Sequence, residues 1–135
     1  MSTPSNLPQA VVFDMDGTLL DTETPARAAF ARAISDVGFD YRAEVYDRCI
    51  GTSHAETEEI LTSAYGERYD HVALHNSWSQ RFNEHTRVHP IEVKPGVVAV
   101  LERLSEYSIP PAIAPSNRRA ACTQHLLEAV LLGVF

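Results

Sequence analysis

The sequence predicts an α/β fold, and three stretches predict it. Ala10-Val11-Val12-Phe13 is a short apolar run that reads as a strand buried on both faces, and it leads straight into Asp14-Met15-Asp16-Gly17. The middle of the chain carries four helical patterns in succession with no strand between them. Further on, Ala112-Ile113-Ala114 follows another helical pattern and a Pro110-Pro111 break, and reads as a second buried strand.

The first strand sets the chemistry. Open α/β sheets hold their ligands beyond the carboxyl ends of their strands. Gly17 allows a sharp turn there, with amides open to an anion. Asp14 and Asp16 offer carboxylates to a hard divalent cation such as Mg²⁺. A calcium loop of the EF-hand kind is excluded, because Thr18-Leu19-Leu20 stand where further oxygen ligands are needed.

Before that strand, residues 1–9 are polar and contain proline, which marks a frayed terminus rather than a signal peptide. After it, Thr24 is a helix N-cap and Pro25 a first helical residue, with Phe30, Ile34 and Val37 on one face and Gly38 as the stop. Further helices are expected over 43–50, over 54–65 behind Ser53 and before Gly66, and over 69–84. From Asp40 to Asp70 this block holds eight acids against Arg42, Arg48 and Arg68. The pairs His71/His75 and His85/His89 sit at i, i+4 spacing, but no cysteine or His-Glu-x-x-His pattern accompanies them, and they read as solvated helix histidines. Lys94-Pro95-Gly96 introduces a helix over about 97–108, and the chain ends on another over about 120–132.

Composition narrows the classes. A chain of 135 residues suits one modest domain or two small ones that share a core. A formal charge of −7 argues against nucleic acid or an anionic membrane as the main partner. Two cysteines, Cys49 and Cys122, read as reduced thiols of a cytoplasmic protein. No apolar run approaches the length of a membrane span.

The stretch from Asp14 to Asp21 resembles the signature Asp-x-Asp-Gly-Thr-Leu-x-Asp of the haloacid dehalogenase-like superfamily at every fixed position. Asp21-Thr22-Glu23 is similar to its continuation in the β-phosphoglucomutase and phosphoglycolate phosphatase branch. The resemblance implies a Rossmann-like core (1–22 and 91–135) with a helical cap inserted at 23–90. It implies Mg²⁺-dependent hydrolysis of a small phosphate monoester, a phosphosugar or similar metabolite, through an aspartyl phosphate. Asp14 would be the nucleophile and Asp16 the general acid/base, with Mg²⁺ against Asp14 and the Asp16 carbonyl. The amides of Met15 and Gly17, with Thr18, would face the phosphoryl oxygens, as would Ser116, followed by Asn117, at the end of the second strand. The family's dehalogenases lack an acid at the position of Asp16, so its presence implies phosphate chemistry.

Two departures qualify the resemblance. In the cap, Ser53 and His54 match a loop that helps choose the substrate, but phosphosugar mutases often carry arginine where His54 stands, which favours a phosphatase over a mutase. The family's third motif, a lysine, and its fourth, an acidic pair, have no counterpart, and two parallel strands leave the sheet edge unpaired. The expectation is therefore a fragment, a truncated product, or a chain that completes its sheet with a partner or a second copy. Such a chain would have little turnover of its own. A reading of a different class is a non-catalytic relative that binds partners through its cap or open edge.

Overall fold

A computed structural model of the chain describes residues 6–114. Its elements are β1 (Val11–Phe13), β2 (Leu20–Asp21), α1 (Glu23–Asp36), α2 (Ala43–Cys49), α3 (His54–Tyr65), α4 (His71–Val88), β3 (Glu92–Val93), α5 (Val97–Glu106) and β4 (Pro111–Ile113). Ser116, Asn117, Cys122 and the helix expected over about 120–132 lie outside the described residues. The chain divides into two compact units, Thr24–His89 and the flanking stretches Met1–Glu23 with Pro90–Phe135. No described helix is long and apolar enough to cross a membrane.

In the flanking unit, β1 and β4 pair in parallel, with Val11 opposite Pro111, Val12 opposite Ala112 and Phe13 opposite Ile113. Pro111 opens its strand, where the missing amide costs no internal ladder bond. The second strand thus begins one residue earlier than the sequence suggests. The first strand also departs from expectation. Val11 and Phe13 are half-buried, but Val12 points to the other face and is 64% exposed. A period-two strand buries both faces only when both are covered, and among the described residues nothing buries the Val12 face. A second pairing has no sequence signal: β2 runs antiparallel to β3, Leu20 opposite Val93 and Asp21 opposite Glu92.

Two helix ends show how differently the same stop can be built. Beyond α1, Gly38 has φ 91°, its amide donates to the Ser35 carbonyl at 3.0 Å, and the Phe39 amide reaches back to Ile34 at 3.0 Å. Beyond α5 the bonds repeat, Ser108 to Ser105 at 3.0 Å and Ile109 to Leu104 at 2.9 Å, but the left-handed residue is Ser108, with φ 54°. Both are Schellman stops, for which glycine is the usual residue.

The helical unit has its own core, formed by Phe30, Ala33 and Ile34 of α1, Val45, Tyr46 and Cys49 of α2, Leu61 of α3 and Leu74 of α4. Phe30 is its centre, with ring centroids of Tyr46 and Trp78 at 5.0 and 5.1 Å. The Trp78 indole N–H donates to the Ala26 carbonyl at 3.0 Å, so α4 is bonded to α1 as well as packed on it. On the surface, Arg81 grips Asp36 with two bonds, Nε to Oδ2 at 2.7 Å and Nη2 to Oδ1 at 2.8 Å, and the Ser77 hydroxyl donates to the same carboxylate. The Arg81 guanidinium and the Ser77 hydroxyl lower the Asp36 carboxyl from 3.8 to about 2.

Two outcomes follow. Ser108→Gly relieves the left-handed strain and stabilises the protein by about 1 kcal/mol in urea unfolding; a loss of stability would contradict the assignment of strain. For Asp36, the folded carboxyl titrates below the unfolded one, so its contribution is fully present above 3.8 and is lost as pH falls towards about 2. The stability difference between wild type and Asp36→Asn is therefore flat at neutral pH and shrinks only in that acid window, as measured by urea titrations at stepped pH.

Candidate active site

The two parallel strands end level with each other, and the Ala114 amide donates to the Phe13 carbonyl at 2.8 Å. Asp14 leaves β1 at this edge. The next residue, Met15, turns inward and is fully buried, while Asp14 is exposed and Asp16 half-buried. Burying the residue between them keeps the two acids at the surface while the loop is anchored in the core.

The backbone holds this arrangement. The Met15 carbonyl accepts the amides of Thr18, Leu19 and Leu20 at 3.3, 3.0 and 3.1 Å. The Gly17 amide donates to the Leu20 carbonyl at 2.8 Å, and Gly17 has φ 72°, a conformation that costs other residues strain. Leu19 and Leu20 are buried, and the Leu19 carbonyl accepts the Lys94 amide at 2.9 Å. The loop is thus tied to the chain that returns just after β3.

The amides of Gly17 and Thr18 both donate to carbonyls within the loop. The Met15 amide is different, since its acceptor is the Asp14 carboxylate itself, Oδ1 at 3.0 Å. A ligand oxygen that displaces this contact gains a donor and frees the carboxylate in one step.

In the helical unit, Ser53 and His54 have local roles. The Ser53 hydroxyl accepts the Glu56 amide at 3.3 Å and the Glu56 carboxylate accepts the Ser53 amide at 2.7 Å, a complete capping box at the start of α3. His54 faces His71, with their Nε2 atoms 3.3 Å apart. Among the described residues, the one group of three or more side chains placed to hold a metal is His54, Glu58 and His71. Burial holds the His71 imidazole below its ordinary value. The sequence reading found the His71/His75 spacing but missed this trio, whose members lie on two helices.

Residues 11–135 match the family described as haloacid dehalogenase-like hydrolase. The plasmid-encoded protein CbbY of Cupriavidus necator is 30% identical over 135 residues, covering 87% of this chain and 52% of its own length. The phosphorylated carbohydrates phosphatase of Thermotoga maritima is 32% identical over 120 residues, covering 87% of this chain and 54% of its own. Among solved structures, a hydrolase from Pseudomonas syringae superposes with a TM-score of 0.68 at 26% identity, over 90% of this chain and 55% of that one. The chain therefore spans about half the length of the curated relatives it matches. Its α/β fold is that of a Rossmann-like core with a helical cap, and the chain belongs to the haloacid dehalogenase-like hydrolase family.

Proposed function

We propose that this chain carries the nucleophile half of an Mg²⁺-dependent phosphatase acting on a small phosphorylated metabolite. The observation that carries the reading is the pair Asp14 and Asp16, held on either side of buried Met15 at the carboxyl end of a parallel strand. A phosphorylated carbohydrate is the substrate class, supported by the phosphatase relative of that name at 32% identity.

In this reading an Asp14 carboxylate oxygen attacks phosphorus, and the bond from phosphorus to the ester oxygen breaks to leave an aspartyl phosphate. Asp16 gives its proton to the departing oxygen, then takes one from the water that attacks phosphorus as the bond from phosphorus to the Asp14 oxygen breaks, which releases inorganic phosphate and restores the carboxylate. The Met15 amide, released from Asp14 by the incoming group, turns to a phosphoryl oxygen. The donors at this loop are oxygens, which suits Mg²⁺. Asp14 and the Asp16 carbonyl would hold it, and it would offset the repulsion between carboxylate and phosphate. Ser116 and Asn117 complete the phosphate contacts in this proposal, and the helical unit acts as the cap that selects the leaving group, with Ser53 and His54 at the start of its α3.

The test is Mg²⁺-dependent release of inorganic phosphate from an aryl phosphate and a panel of sugar phosphates by the protein that carries this sequence. Asp14→Asn is expected to reduce release to background, and Asp16→Asn to lower it by about 10²–10⁴-fold. Conversion of a sugar phosphate to an isomer without phosphate release would replace the phosphatase with a mutase. A folded wild-type protein with neither activity would turn the reading towards a binding role. Gly17→Ala separates loop geometry from chemistry. It is expected to cost about 1–2 kcal/mol of stability in urea unfolding through its left-handed backbone, since the added Cβ meets nothing closer than the Glu23 Cγ at 3.8 Å.

A further inference from the structure

His54 opens α3 and His71 opens α4, and their rings meet with centroids 4.9 Å apart. The Nε2 atoms are 3.3 Å apart, which is long for a hydrogen bond to nitrogen. Two nitrogens bound at about 2.05 Å to one tetrahedral Zn²⁺ are separated by about 3.3 Å. The pair is therefore spaced as two corners of a zinc site. Glu58 lies one turn along α3 from His54, at i+4 on the same face. Its carboxylate oxygen and the two imidazole nitrogens all lie within 4.8 Å of one another, and the Glu58 side chain is exposed.

The surroundings accommodate the required tautomer. His71 Nδ1 is 2.7 Å from the Tyr69 hydroxyl. When Nδ1–H donates to that oxygen, the lone pair is on Nε2, which faces His54. The Tyr69 ring is held in turn by Phe39 and Tyr65, with centroids at 6.3 and 6.2 Å. Two helix starts meeting here disfavour a bare cation. The acids of this end oppose that effect: Asp70 caps α4 through the amides of Val72 and Ala73, and Glu56 caps α3.

We propose that His54, Glu58 and His71 form a binding site for a zinc-class divalent cation in the helical unit, with water in the fourth position and Tyr69 positioning His71. Imidazole donors select Zn²⁺ or Co²⁺ over Mg²⁺, whereas the Asp14 loop offers oxygens, which suit Mg²⁺. The proposal does not depend on the phosphatase reading.

The test is titration of the full chain with Co²⁺ in excess Mg²⁺, following the visible absorption of four-coordinate cobalt, with far-ultraviolet circular dichroism to verify folding. A band that saturates at one equivalent and is displaced by Zn²⁺ is expected. It should be lost in His54→Ala and in Glu58→Gln, both at exposed positions, and kept in Asp14→Asn. Tyr69→Phe, which keeps the ring and removes the hydroxyl, should weaken binding by about 10-fold. Absence of a saturating band overturns the proposal, as does a band that survives in folded His54→Ala or disappears in Asp14→Asn.

Discussion

The Met15 peptide is the constraint on which the acidic loop of this molecule depends. Its side chain is fully buried and its carbonyl accepts three successive amides, so one residue anchors the loop through both packing and hydrogen bonding. A short acidic turn at a surface would otherwise sample many conformations, each at an entropic advantage over any single one. Here the backbone closes on itself, and Asp14 and Asp16 are carried outward by a peptide that cannot move without opening the core.

The helical unit is organised on a different principle. Its stability comes from aromatic rings meeting at angles around Phe30, with polar bonds added where a ring carries a donor, as at Trp78. Of its histidines, His54 and His71 open α3 and α4, whereas His85 lies in the last turn of α4 and His89 caps it. The acidic loop and the core of the helical unit therefore draw on separate sets of residues.

The sequence made some of this legible and hid the rest for physical reasons. The bounds of α3 were readable because Ser53 and Glu56 form a capping box and Gly66 follows Tyr65, so both ends carry chemical marks. The start of α4 was placed too early, at Tyr69, because Asp70 is its N-cap, and its end was placed too early because the last turn is polar. β2 and β3 are two residues each, too short for any alternation to register. The acidic loop was legible as a motif, but its amides were expected to face outward. Only the backbone shows that those of Gly17 and Thr18 are used inside the turn. The trio at His54 was invisible for a related reason. Spacing along one helix reveals neighbours on that helix, and His54 and His71 are neighbours only after two helix starts come together.

The pairing of β2 with β3 has an architectural consequence. Leu20 and Asp21 on the way into the helical unit lie opposite Val93 and Glu92 on the way out, so the chain leaves and re-enters the core at one hydrogen-bonded gate. A segment whose two ends emerge side by side is topologically an insertion, and the core closes the same way whatever is threaded between them. The helical block is in that sense an interchangeable module. A longer, shorter or unrelated helical segment grafted between the two short strands would leave the register of the acidic loop as it is. Descendants of such a chain can exchange the inserted block wholesale while the acidic loop is inherited unchanged.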